Sequence, residues 1–85
     1  MEKSGLRLIV EARGKAVGRG HVLWSSEKNG HGILSIGHTG HEVYFDESVC
    51  ANRELFKRGE RVRCLIRDID GVLCAYEVER CEIYK

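Results

Sequence analysis

A chain of 85 residues accommodates one domain with a single modest core and leaves no room for a deep catalytic cleft beside a second domain. Its composition, 42% hydrophobic and 32% charged, is that of a folded soluble domain and is too apolar for a disordered tail. The formal charge of +1 supplies no global field for attracting polyanions, so any nucleic-acid binding has to rest on local patches.

The longest apolar runs, such as Leu8-Ile9-Val10, fall far short of the ~20 residues of a membrane helix. No apolar h-region follows Met1-Glu2-Lys3, so the secretory route has no support and a cytoplasmic location is expected, with the nucleus as the alternative. Four cysteines (Cys50, Cys64, Cys74, Cys81) show no CxxC spacing, which argues against a zinc ribbon or a thioredoxin-like site, and the expected compartment argues against disulfides. Cys64 and Cys74 sit in alternating apolar stretches and read as small buried hydrophobes.

In chain order, residues 6–12 are ambiguous by periodicity and predict either an extra strand or a short helix. Residues 14–20 hold three glycines and predict a linker or turn. Residues 1–17 are accordingly an N-terminal extension, and 18–85 the folded barrel. Ten glycines, no proline and short apolar runs then punctuate an all-β pattern. Five strands are predicted at 20–25, 31–37, 41–46, 60–68 and 73–81. The fourth is the clearest, because Val62, Cys64 and Ile66 alternate with Arg61, Arg63, Leu65 and Arg67 at the strand period of two. Asp70-Gly71 supplies a tight hairpin, and Val72, Cys74, Tyr76 and Val78 are expected to point inward on the returning strand. Between the third and fourth strands a short helical turn is predicted around residues 48–55. Asp46 or Ser48 is its cap, and Lys57-Arg58-Gly59 its end.

Gly20-His21-Val22-Leu23-Trp24, followed by Glu27-Lys28-Asn29-Gly30-His31-Gly32-Ile33-Leu34, resembles the first ribonucleoprotein motif of cold-shock domains, G-x-V-x-W-F then K-G-F-G-F-I. Glu42-Val43-Tyr44-Phe45-Asp46-Glu47-Ser48 resembles the second motif, D-V-F-V-H-x-S, and Leu55 with Gly59-Glu60-Arg61-Val62 resembles the L-x-x-G-x-x-V that leads into the fourth strand. The resemblance spans residues 18–80 in consistent order. It implies a five-stranded antiparallel oligonucleotide-binding (OB) barrel of the cold-shock type, the strand count already read from the glycine punctuation. Tyr44-Phe45-Asp46-Glu47-Ser48-Val49-Cys50 also resembles a stretch of the degenerate cold-shock-like barrels in proteins of RNA metabolism such as Armitage-type RNA helicases.

Carried over residue by residue, the resemblance implies a base-stacking platform at Trp24, His31, Ile33 and Tyr44, with Lys28 near the phosphates. Trp24 and Tyr44 keep aromatic positions of the motifs, and the His31 imidazole retains a π-face. Ile33 cannot stack as a ring does. Ser25 stands in place of a phenylalanine, Asp46 in place of a histidine, and Glu47 where an aromatic is common. With stacking worth roughly 1–3 kcal/mol per base, such a platform predicts weak binding.

All four histidines, His21, His31, His38 and His41, fall within residues 18–46, where Arg19 and Lys28 oppose Glu27, Glu42 and Asp46 for a formal −1. Full protonation would give +3, so binding is expected to strengthen below about pH 6.5. A second charged stretch is basic: Arg53, Lys57, Arg58, Arg61, Arg63 and Arg67 against Glu54 and Glu60. Arg61, Arg63 and Arg67 share one outward strand face and form a secondary patch for phosphates or an acidic partner, or simply a solvated strand face. No catalytic motif is present, and Asp68 and Asp70 read as turn chemistry. The expectation is an auxiliary, non-enzymatic module for single-stranded nucleic acid, RNA foremost, without metal or other cofactor. The alternative is a protein-interaction barrel that uses the arginine face or a surface at Ile33, Tyr44 and Phe45, its partner a protein or the rest of a larger chain.

Overall fold

The computed structural model describes residues 5–38 and 40–81. The first four residues of the expected extension, Thr39, and the last four residues of the expected barrel lie outside the described residues. A helix α1 (Gly5–Arg13) precedes five strands: β1 (Ala16–Ser26), β2 (His31–Ile36), β3 (His41–Asp46), β4 (Arg61–Ile69) and β5 (Val72–Arg80). Two 3-10 turns, Glu47–Val49 and Ala51–Arg53, occupy the β3–β4 connection. The strands close into a barrel in the order β1-β2-β3-β5-β4, the arrangement of an OB-like fold.

The barrel is mixed, whereas an antiparallel one was expected. Five is an odd number, and strands in a closed ring of odd size cannot alternate direction all the way round. The mismatch falls between β3 and β5, which run parallel through the pair Tyr44 and Cys74, while the other four junctions are antiparallel.

Alternate positions of the strands fill the core, where Val22, Leu34, Val43, Phe45, Val62, Ile66 and Val78 are fully buried. Phe45 is therefore a core residue and not part of any interaction surface. Residues 14–20 are not a linker, since β1 already begins at Ala16. Its early glycines are packing residues. A Cβ on Gly20 would lie 1.8 Å from the carbonyl oxygen of Ser35, and one on Gly32 would lie 2.4 Å from that of Trp24. Only a bare backbone lets β1 and β2 approach so closely.

Residues 6–12 resolve as helix. Val10 is buried and Leu6 packs against the core, one helical turn apart on a single face. Gly14 ends the helix at φ 83°, its N–H donating to the Val10 carbonyl at 2.7 Å. Arg7 ties α1 to the β4–β5 hairpin by an ion pair with Asp68 and a 3.0 Å hydrogen bond to the Gly71 carbonyl. The hairpin turn itself is Asp70-Gly71, with φ of 53° and 87°, the positive pair that a type I′ turn requires.

On β5 the buried residues are Leu73, Ala75 and Val78, so Val72, Cys74 and Tyr76 do not point inward as expected. The cause is a bulge. Ile66 pairs with Ala75 but Leu65 pairs with Glu77, which leaves Tyr76 as the extra residue and inverts the alternation beyond it. In the β3–β4 connection, Asp46 caps the first 3-10 turn by accepting from the Ser48 N–H at 2.8 Å. Cys50 and Phe56 from this connection are buried against the barrel.

Candidate nucleic-acid interface

Along β1 the inward residue Val22 is followed by a register shift, so that Leu23 is absorbed and Trp24 emerges on the outside. Trp24 is 45% exposed. Opposite it on β2 stands Ile33, and opposite Ile33 on β3 stands Tyr44. His31, two residues before Ile33, sits between the two larger rings. Its centroid is 5.6 Å from that of Trp24, edge-on, and 5.7 Å from that of Tyr44, tilted by 32°. These separations are those of contacting aromatic pairs. Three rings and an aliphatic side chain thus form one continuous face across three strands.

Lys28 is exposed in the turn between β1 and β2, a turn closed by the Gly30 N–H donating to the Ser26 carbonyl at 2.7 Å. Carboxylates border the platform. Asp46 is directly opposite His31, Glu42 is opposite Ser35, and the Glu47 side chain lies over Gly30.

The register carries the face further than residue spacing indicated. Tyr44 pairs with Cys74 on β5, and Cys74 pairs with Arg67 on β4, where the Arg67 guanidinium lies 4.9 Å from the centroid of the Tyr76 ring. Burial pushes the Cys74 thiol above its ordinary pKa, which keeps it neutral beside the platform. Tyr76 escaped sequence reasoning because it was assigned to the core. The signal available was the second apolar phase of β5, Leu73 and Ala75, which competes with the first.

Of the expected basic patch, Arg61, Arg63 and Arg67 take alternate outward positions on β4, while Arg53, Lys57 and Arg58 stand in the β3–β4 connection. Arg63 donates from Nε and Nη2 to the single oxygen Oε2 of Glu79 at 3.0 and 2.7 Å, and Lys57 lies 3.9 Å from Glu27. Arg53 and Lys57 line a groove of about 490 Å³ that also contains Glu27, Glu47, Glu54 and Glu60. Arg67 lies over Tyr76, while Arg58 is exposed beside Gly59. Arg61 stands opposite His21 on β1, as Arg63 does opposite Arg19.

The histidines scatter likewise: His21 and His38 are exposed, His31 lies in the platform and His41 opens β3. Among the described residues no three histidine, cysteine or acidic side chains converge as a metal site, and no helix is long and apolar enough to cross a membrane.

A closed five-stranded OB-like barrel with an exposed aromatic face is what fold and site define. No protein-family model matches the chain, and no curated protein matches it.

Proposed function

We propose that this barrel is a non-catalytic module for weak binding of single-stranded nucleic acid, with RNA the preferred strand. It would stack bases on Trp24, His31 and Tyr44 and serve as an auxiliary domain in RNA metabolism. One observation carries the reading: three rings in a row, His31 touching Trp24 on one side and Tyr44 on the other, lie on the outside of three adjacent strands, and the largest is 45% exposed. Such a row contributes little to the core and offers flat π-faces at successive positions, the chemistry that holds unpaired bases.

The resemblance to cold-shock domains supports the same three positions, and to the RNA-metabolism barrels it owes the preference for RNA. Ile33 supplies apolar contact between the rings, and Lys28 a cation beside them. Asp46, Glu42 and Glu47 repel phosphates and keep the affinity low.

The test is a titration of Trp24 fluorescence with a short single-stranded RNA at low salt, Trp24 being the only tryptophan. Saturable quenching that weakens as salt is added is expected. Trp24→Ala, followed by anisotropy of a labelled RNA, should cost about 1–3 kcal/mol of binding. No quenching at high micromolar RNA overturns the proposal.

A second reading, a protein-interaction barrel, draws on another surface. Val17 is 65% exposed opposite Leu65, with the 48% exposed Ile9 of α1 beside the same hollow. Under that reading Val17→Asp abolishes partner binding and Trp24→Ala leaves it intact.

A further inference from the structure

Where β1 crosses β4, a groove of about 330 Å³ is walled by Arg19, His21 and Arg61 and runs along the glycine backbone at Gly20, Gly37 and Gly59. Among the described residues no carboxylate lines it. Four cations have carboxylate partners: Arg7 has Asp68, Arg63 has Glu79, Arg80 has Glu60 at 3.4 Å, and Lys57 has Glu27. Arg19 and Arg61 have no ion pair among the described residues.

Arg19 and Arg61 come together from neighbouring strands, Arg61 directly opposite His21 and Arg19 opposite Arg63, whose charge Glu79 balances. An anion in the groove would lie between two guanidinium groups that no described carboxylate balances. Guanidinium groups suit phosphate in particular, because their planar fork matches its oxygens.

The groove adjoins the aromatic platform. His21 is opposite Ser35 on β2, and Trp24 is opposite Ile33, two residues along the same strand. At ~3.3 Å per residue the two rows are about 7 Å apart. We propose that the groove seats backbone phosphates of the same single strand whose bases lie on Trp24, His31 and Tyr44. The nucleic acid then leaves the platform along β1 and turns into the β1–β4 corner. This rests on the nucleic-acid reading above and adds a path, a polar end to the site and a longer footprint.

The test compares single-stranded RNAs of about four and about ten nucleotides, lengths at the lower end and middle of OB-fold site sizes, by anisotropy across a salt series. In the Arg19→Ala/Arg61→Ala double variant the longer RNA should bind roughly tenfold more weakly at low salt. The slope of log affinity against log salt should fall by about 1.4, two phosphate contacts at ~0.7 each. The shorter RNA should bind as it does to the unaltered protein, and the Arg19→Lys/Arg61→Lys variant should keep the full slope. Unchanged affinity and slope for the longer RNA overturn the groove and leave the platform standing, and so does an equal loss for both lengths. If the unaltered protein binds neither RNA, the platform reading fails and the groove proposal fails with it.

Discussion

At Trp24 and Gly20 the same stretch of chain serves two ends. The glycine spacing that resembles a nucleic-acid motif is accounted for by packing alone, since the bare backbone at Gly20 and Gly32 lets β1 and β2 close on each other. Those glycines report the barrel, whereas the exposed Trp24 and the half-buried His31 beside it are not core residues and are the positions on which the proposed binding rests. Gly20→Ala would drive a methyl group into the Ser35 carbonyl, a main-chain atom that cannot swing aside. A loss exceeding about 4 kcal/mol is expected by denaturant unfolding, in the range of severe backbone conflict; a loss under ~1 kcal/mol would mean the strands separate readily. Cys64 makes a second test. Burial pushes its thiol from 9.0 up to about 12. The unfolded chain gives up this proton at lower pH than the folded one, so the contribution is complete below pH 9.0 and declines as pH rises toward about 12. Equilibrium unfolding at about pH 8 and about pH 10.5 should show a steeper loss for the unaltered protein than for Cys64→Val. Equal losses would contradict the assignment.

Among the elements, strands with one clean apolar phase were legible and those with two were not. Val62, Cys64 and Ile66 alternate without competition, and β4 lies where they place it. In β5 both Val72-Cys74-Tyr76 and Leu73-Ala75 are apolar series, and only the bulge decides between them. That bulge arises where β5 pairs back onto β4 across the hairpin, so both apolar phases were visible in the sequence but the choice between them, and with it the exposure of Tyr76, was not. Residues 6–12 were equally undetermined by period, and the glycine stop at Gly14 together with the Arg7–Asp68 tether selects helix. The hydrogen bond from Arg7, helped by the Gly71 N–H, lowers the Asp68 pKa below 3.8. A depressed carboxylate stabilises above its unfolded value and loses that contribution as pH falls through the folded one. Amide protection in α1, relative to the intrinsic exchange rate at each pH, should therefore fall selectively as pH drops below 3.8. Arg7→Ala should show the faster exchange already at neutral pH, and unchanged protection in that variant would mean the tether is ornamental.

For the molecule as a whole, closure pairs every strand with two neighbours, so side chains on the outer surface are what the barrel chiefly offers a partner. The candidate platform was readable from the motif spacing because its three rings come from strands close in sequence. The Arg19–His21–Arg61 groove was not, because it joins β1 to β4 across some forty residues of chain. Closure itself has one thin place. Four junctions are long antiparallel ladders, but the parallel joint of β3 and β5 is registered through Tyr44 and Cys74 alone, with Cys50 and Val78 bridging nearby. That joint is where the ring is expected to open first, and one of the platform rings is rooted on it. A strand of nucleic acid reaching from Tyr44 toward Tyr76 would lie across the seam like a clasp, so ligand should slow the opening of a joint that it never touches through its backbone hydrogen bonds.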